Sequence, residues 1–156
     1  MTIAPTLHKY LAAENIEYAE IPHVLTMTSA RSAQACHVPG DRVAKAIVLR
    51  RNGGYMLAVL PASHHLRLPD LRERLGDDVD MANESEIDKL FADCAHGAVP
   101  AAGRCYGLDI IVDESIERQP EVYMEAGDHE TLLHMSRTQF ARLTADAMHG
   151  RFSLHD

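Results

Sequence analysis

Two apolar runs joined by a glycine-rich turn constrain this chain more than any other feature. Val43 to Leu49 and Tyr55 to Leu60 read as strands. Between them, Asn52-Gly53-Gly54 supplies the positive φ angles that a tight hairpin requires. Any fold for the chain has to accommodate this hairpin.

Helical and strand patterns alternate irregularly around it. Pro5 to Asn15 predicts a helix, with Leu7, Tyr10 and Leu11 at helical spacing and Pro5 in the first turn. Glu17 to Ile21 predicts a short strand ended by Pro22. Thr28 or Ser29 caps a second helix through Cys36, and Val38-Pro39-Gly40 breaks it. Pro69 to Leu75 and Glu84 to Phe91 are short amphipathic helices flanking a brief strand at Val79 to Met81. After the irregular, small-residue stretch Cys94 to Gly107 come strands at Leu108 to Val112, Glu121 to Glu125 and Thr131 to Met135. Ser136 caps a last helix running to about Ala147.

This order predicts an α+β fold: a mixed, largely antiparallel and partly barrel-like sheet with surrounding helices, not a doubly wound parallel one. With 156 residues and no repeat, linker or low-complexity tract, residues 1–156 read as a single domain.

The composition, 46% hydrophobic and 24% charged, argues against disordered and collagen-like chains. Three cysteines (Cys36, Cys94, Cys105) at no regular interval argue against a disulfide scaffold. No apolar run reaches membrane-spanning length and no signal-peptide pattern opens the chain, so a soluble, cytoplasmic protein is expected. The formal net charge is −8, which disfavours an extended nucleic-acid partner, yet the charge is unevenly placed. Arg31, Arg42, Lys45, Arg50 and Arg51 face only Asp41 across that stretch, a local +4 on a remainder of −12.

Three places could carry chemistry. Lys45, one of only three lysines, falls by alternation on the same face as Val43, Ile47 and Leu49. An ammonium there must reach water, find an anion or give up its proton. The stretch Cys94 to Gly103 is a loop whose backbone can approach a ligand closely, without the spacing of a triphosphate-binding loop. Gly127 opens a turn in which Asp128-His129-Glu130 set two carboxylates beside an imidazole. The ten histidines form no zinc pattern: His64-His65 are adjacent, and Cys94-x-His96 has no nearby partner pair. There is no nucleophile elbow and no cysteine in a nucleophile motif.

Taken in order, these segments resemble the YbaK/prolyl-tRNA synthetase editing-domain family of aminoacyl-tRNA deacylases. The resemblance rests on His23 to Ala33, the run Gly40-Asp41-Arg42-Val43-Ala44-Lys45-Ala46-Ile47-Val48-Leu49, Val59-Leu60-Pro61-Ala62 and Met81 to Ile87. It continues through Gly97-Ala98-Val99-Pro100 and Val122 to Leu133, closing with Met135-Ser136 and the final helix.

The resemblance implies a hydrolase that cleaves the ester of mischarged aminoacyl-tRNA, with no metal or other cofactor. Its partners would be a tRNA acceptor end and, further, an aminoacyl-tRNA synthetase. Lys45 would bind the terminal adenosine phosphate, the Gly97 to Ala101 loop would line the pocket near the ester, and His129 would stand close to both. Thr28, Arg42, Ala98, Val99, Pro100, Ala101 and Asp128 would complete the binding surface. The loop departs from the family pattern: Ala101 stands where many members have proline, after Pro100, and Ala102-Gly103 replaces Phe-Gly. A non-catalytic binding module for an aminoacyl-tRNA end, a nucleotide or a synthetase is the alternative this departure keeps open.

Overall fold

The computed structural model describes residues 3–156. The chain runs α1 (Pro5–Ala13), β1 (Ala19–Pro22), α2 (Ser29–Ala35), a short 3-10 turn Gly40–Arg42, β2 (Val43–Arg51) and β3 (Gly54–Pro61). It continues with β4 (His64–Leu66), α3 (Leu68–Leu75), β5 (Asp80–Met81) and α4 (Glu84–Leu90). A second 3-10 turn, Gly103–Tyr106, leads into β6 (Asp109–Asp113), α5 (Glu114–Glu117), β7 (Glu121–Glu125) and β8 (Thr131–Ser136). α6 (Arg137–Leu143), β9 (Met148–Gly150) and β10 (Ser153–His155) complete it.

The fold is α+β. The main sheet has the order β1-β8-β7-β2-β3-β6-β9, with β5 also on β2. It is mixed and does not close: β1 and β9 remain its edges, so the barrel character stops short of a barrel. The predicted hairpin is its centre, paired antiparallel from Ala44↔Pro61 to Arg51↔Gly54. Parallel neighbours flank it, β7 on β2 and β6 on β3.

The unbroken apolar runs of the hairpin follow from burial on both faces. Ala44, Val48, Leu57 and Val59 point into a core shared with Leu7 and Leu11 of α1, Met124 and Leu133. Leu49, Met56, Ala58 and Leu60 point the other way, against Leu71 of α3, Ile111 and Phe152. Each such leucine contributes about 1.5–3 kcal/mol by leaving water.

The last helix stops at Leu143, short of the expected Ala147. The Thr144 hydroxyl turns back onto the Phe140 carbonyl, and Asp146 takes a left-handed φ of 66° that redirects the chain into β9. α5, β4, β9 and β10 carry too few residues for any periodicity to announce them. β4 and β10 form a separate two-stranded sheet, His64 opposite His155 and Leu66 opposite Ser153.

Candidate active site

β7 ends at Glu125, and the next five residues form a tight corner before β8 begins at Thr131. Gly127 has φ 111°, and a Cβ there would come within 2.8 Å of the Ala4 Cβ and 3.3 Å of Cys94 Sγ. Only glycine lets the corner pack this closely. Two residues on, His129 adopts φ 59°, left-handed for a non-glycine residue. Backbone hydrogen bonds from Thr26 to the His129 carbonyl (3.2 Å) and from His23 to the Glu130 carbonyl (2.8 Å) hold it there. Asp128 serves the corner itself: its carboxylate accepts from the Glu130 amide (2.9 Å) and the Thr131 hydroxyl (3.0 Å).

The corner turns His129 inward, where it is 2% exposed. One ring nitrogen, Nε2, lies 2.8 Å from the carbonyl oxygen of His96. The other, Nδ1, faces Oε2 of Glu125 at 3.7 Å, and among the described residues neither atom has a hydrogen-bond partner. The second oxygen of Glu125 accepts from the Ser32 hydroxyl (2.8 Å), which contacts the Thr26 hydroxyl (2.6 Å). Burial pushes the Glu125 carboxyl above the usual carboxylate range, opposed by the Ser32 hydrogen bond and the imidazole.

The loop after α4 meets this corner. The Ala95 amide donates to the Gly127 carbonyl (2.7 Å), and the His96 ring is tied to Asp88 of α4 (2.9 Å). Gly97 (φ 81°) follows, so close to His129 that a Cβ would sit 3.2 Å from Nε2. Gly97 is exposed, whereas Ala98, Val99, Pro100 and Ala101 turn into the core. The Ala98 amide is spent on the Ala95 carbonyl (3.0 Å), and Pro100 has none. Among the described residues, the Gly97, Val99 and Ala101 amides, like that of His96 before them, have no protein acceptor, and of the four His96 and Gly97 belong to exposed residues.

Lys45 lies where two strands part. The parallel pairing of β2 with β7 consists of Val43↔Tyr123 and Ala44↔Met124 and then stops. β5 joins β2 only at Leu49↔Met81, after the Ala82 amide has met the Val48 carbonyl. The edge of β2 from Lys45 to Ile47 thus has no strand against it. Continuing the register, Lys45 and Glu125 leave their strands on the face of Val43 and Tyr123. The Lys45 ammonium is half-buried and donates to the backbone carbonyl of His64. Among the described residues no carboxylate lies within ion-pair distance of it. Burial lowers its pKa, and the more distant Asp156 partly opposes this.

The remaining expected site residues fare differently. Thr28 caps α2, its hydroxyl accepting from the Arg31 amide (3.1 Å). Arg42 is engaged at 3.0 Å with Glu121. Gly97, His129 and the segment before α2 come together, while the Lys45 ammonium is drawn toward β4. Glu125, Ser32 and Thr26 were not anticipated. The signal for Glu125 was present, since a carboxylate in the strand Val122-Tyr123-Met124-Glu125 is the same anomaly that marks Lys45. Beside this cluster, Leu25, Thr26, Met27, Arg31, Gln34 and Ala35 line a depression of about 670 Å³, with Leu25 64% and Met27 65% exposed.

The model of the aminoacyl-tRNA editing domain matches residues 23–143, spanning every element of this site except β10. The chain belongs to the aminoacyl-tRNA editing-domain family. No curated protein sequence matches it significantly. Solved structures share its fold. The hypothetical protein APE2540 superposes with a TM-score of 0.84 at 20% identity, covering 96% of this chain and 99% of that one. A proposed trans-editing enzyme for prolyl tRNA synthetase gives 0.81 at 23% identity, covering 97% and 96%. A proposed signal transduction protein from Marinobacter aquaeolei VT8 gives 0.77 at 20% identity, covering 96% of this chain but 30% of that one. Among the described residues of the editing domain, no helix is long and apolar enough to cross a membrane.

Proposed function

We propose that this editing domain is a deacylase that hydrolyses the ester joining a wrong amino acid to the 3′ end of a tRNA. The observation that carries the reading is Lys45: a half-buried ammonium at an open strand edge, with a neutral carbonyl as its hydrogen-bond acceptor. A phosphate of the terminal adenosine would complete its pairing, and the charge-assisted contact would offset desolvation. The depression beside the His129 corner offers Leu25 and Met27 as apolar surface for the rest of the acceptor end.

In the reaction, a water oxygen adds to the acyl carbon and the carbon–oxygen ester bond breaks. The ribose oxygen leaves with a proton from that water, giving a free amino acid and an intact tRNA. The Gly97 amide would donate to the oxygen on which charge develops, a contribution worth about 2.7–4 kcal/mol where such donors have been removed. His129 holds the loop that carries this amide through the His96 carbonyl.

The test is a panel of mischarged tRNAs, beginning with mischarged tRNA for proline because of the relative linked to prolyl tRNA synthetase. The wild type should release the amino acid from at least one, and Lys45→Ala should lose most of that turnover with an unchanged circular dichroism spectrum. Undiminished turnover by Lys45→Ala would remove Lys45 from the mechanism. The replaced loop residues Ala101 and Ala102 favour the second reading, a binding module, and a protein that protects every ester in the panel would establish it.

A further inference from the structure

We propose that Glu125 is a positioning residue that shares one proton with His129, so that His129 Nε2 carries hydrogen and pins the His96 carbonyl beneath Gly97. The role of the loop rests on the deacylase reading; the proton arrangement does not.

The direction of every hydrogen bond in the cluster follows from two fixed points. A carbonyl oxygen only accepts, so Nε2 of His129 must be the donor to His96. In the neutral ring this leaves Nδ1 with a lone pair, aimed at Glu125 Oε2. At the other end, the Ser32 hydroxyl donates to Glu125 Oε1, so the Thr26 hydroxyl must donate to Ser32. A proton on Oε1 instead would leave Oε2 and Nδ1 facing each other as two lone pairs, so a proton on the carboxyl belongs on Oε2. That places it between Oε2 and Nδ1, which face each other at 3.7 Å and, like the nearby His23 Nε2, otherwise lack partners among the described residues.

A proton is needed there. Without it, a carboxylate and a nitrogen lone pair would face each other in a site where Glu125 is 1% and His129 2% exposed. A neutral pair, Glu125 O–H toward Nδ1, avoids burying two full charges and is favoured over the ion pair. Besides His129, the charged and titratable groups around Glu125 among the described residues are His23 before α2, Cys36 after it, Asp128 in the corner and, one register step along on β2, Lys45, whose ammonium turns away to the His64 carbonyl. Burial of the Glu125 carboxyl raises its pKa and extends the protonated state upward in pH. The separation of 3.7 Å is longer than a hydrogen bond, as such contacts often are before substrate binds.

The arrangement distinguishes Glu125→Gln from Glu125→Ala. A glutamine amide can accept from Ser32 and donate to Nδ1, copying the protonated carboxyl. Alanine leaves Nδ1 unpartnered and frees the ring. The decisive measurement is long-range proton–nitrogen NMR of 15N-histidine-labelled protein, which reads the two His129 nitrogens without any substrate. Wild type and Glu125→Gln should show the Nε2–H tautomer at neutral pH, and Glu125→Ala a mixture. Raising the pH should shift Nδ1 in the wild type, as the carboxyl ionises, but not in Glu125→Gln. In turnover, Glu125→Ala should lower kcat by up to about 100-fold with little change in KM, the scale of an ångström misplacement. Glu125→Gln should restore kcat and should not share the fall in kcat that ionisation of the Glu125 carboxyl produces in the wild type as pH is raised.

A doubly protonated His129 in the neutral wild type, or a tautomer unaltered in Glu125→Ala, overturns the proposal. If Glu125→Ala does not fold, the contrasting pH responses of wild type and Glu125→Gln decide it. Absence of deacylation in the wild type would count against the deacylase reading and leave the NMR result standing.

Discussion

The ammonium of Lys45 in β2 donates to the backbone carbonyl of His64 in β4, a strand paired with β10 outside the main sheet. The lysine therefore crosses an apolar face to reach its acceptor, and its aliphatic stem packs where a methionine could. Lys45→Met should fold with a stability within about 1 kcal/mol of wild type, since one modest hydrogen bond is exchanged for apolar contact. Thermal unfolding checks this. Its deacylation should fall roughly ten- to a hundredfold in kcat/KM, the equivalent of one charge-assisted contact of about 1.5–3 kcal/mol.

Gly97 and Gly53 form a matched pair for testing the His129 contact. Both have left-handed φ values, 81° and 76°. An added Cβ at Gly53 meets nothing within 4 Å, whereas at Gly97 it lies 3.2 Å from His129 Nε2. Alanine at either position should destabilise by about 1 kcal/mol through backbone strain alone. Gly97→Ala should additionally displace the imidazole and depress deacylation, and Gly53→Ala should leave turnover unchanged. Equal turnover in the two variants would disconnect Gly97 from the site.

What the sequence made legible was whatever repeats along several residues. The hairpin of β2 and β3, the cap of α2 at Thr28 and the strand Glu121–Glu125 all follow from local patterns, and all stand in the structure. Lys45 was visible because a charge interrupts an apolar face. The partner of its ammonium was not, because β4 and β10 are three residues each and meet across 89 positions of chain. Arg42 illustrates the opposite difficulty. Its charge marks it for a polyanion, but Glu121, far off in sequence, takes it.

That pairing bears on salt dependence. Arg42 is neutralised by Glu121 at 3.0 Å, and Arg50 faces Glu86 at 3.8 Å, so the basic stretch offers fewer free cations than its sequence suggests. Affinity for tRNA should fall with salt at a slope corresponding to about one or two phosphates. Fluorescence anisotropy across a salt series measures it. A slope of five or more would mean that the protein grips the acceptor stem broadly.

The thiols should be bystanders. Burial pushes Cys94 up to about 11 and Cys105 up to about 12, and it raises Cys36 as well. Thiolate is the reactive form, so all three should resist iodoacetamide at neutral pH in the folded protein and react once it is denatured. Treated enzyme should retain its deacylation. Inactivation in proportion to labelling of one cysteine would reinstate a thiol in the mechanism.

Asp113 fastens the tail that supports the Lys45 acceptor. Its buried carboxylate accepts from the Ser115 amide (3.0 Å), the Ser115 hydroxyl (2.5 Å) and the Phe152 amide (2.9 Å), one residue before β10. Burial alone would raise its pKa, but the hydrogen bonds from Ser115 and Phe152 together outweigh it and hold the carboxyl below the usual range. A depressed folded pKa stabilises the protein fully above the unfolded value of about 3.9 and loses that contribution as pH falls through the folded one. Asp113→Ala should therefore cost about 1–3 kcal/mol near neutral pH, because a buried amide is left unpartnered. The difference from wild type should shrink as pH falls below about 4, where the carboxyl of the unfolded chain begins to protonate, and disappear once the native carboxyl has protonated too. Urea unfolding at a series of pH values reads both effects. A deficit that stays constant down to pH 2 would show that Asp113 acts through packing and not through its charge.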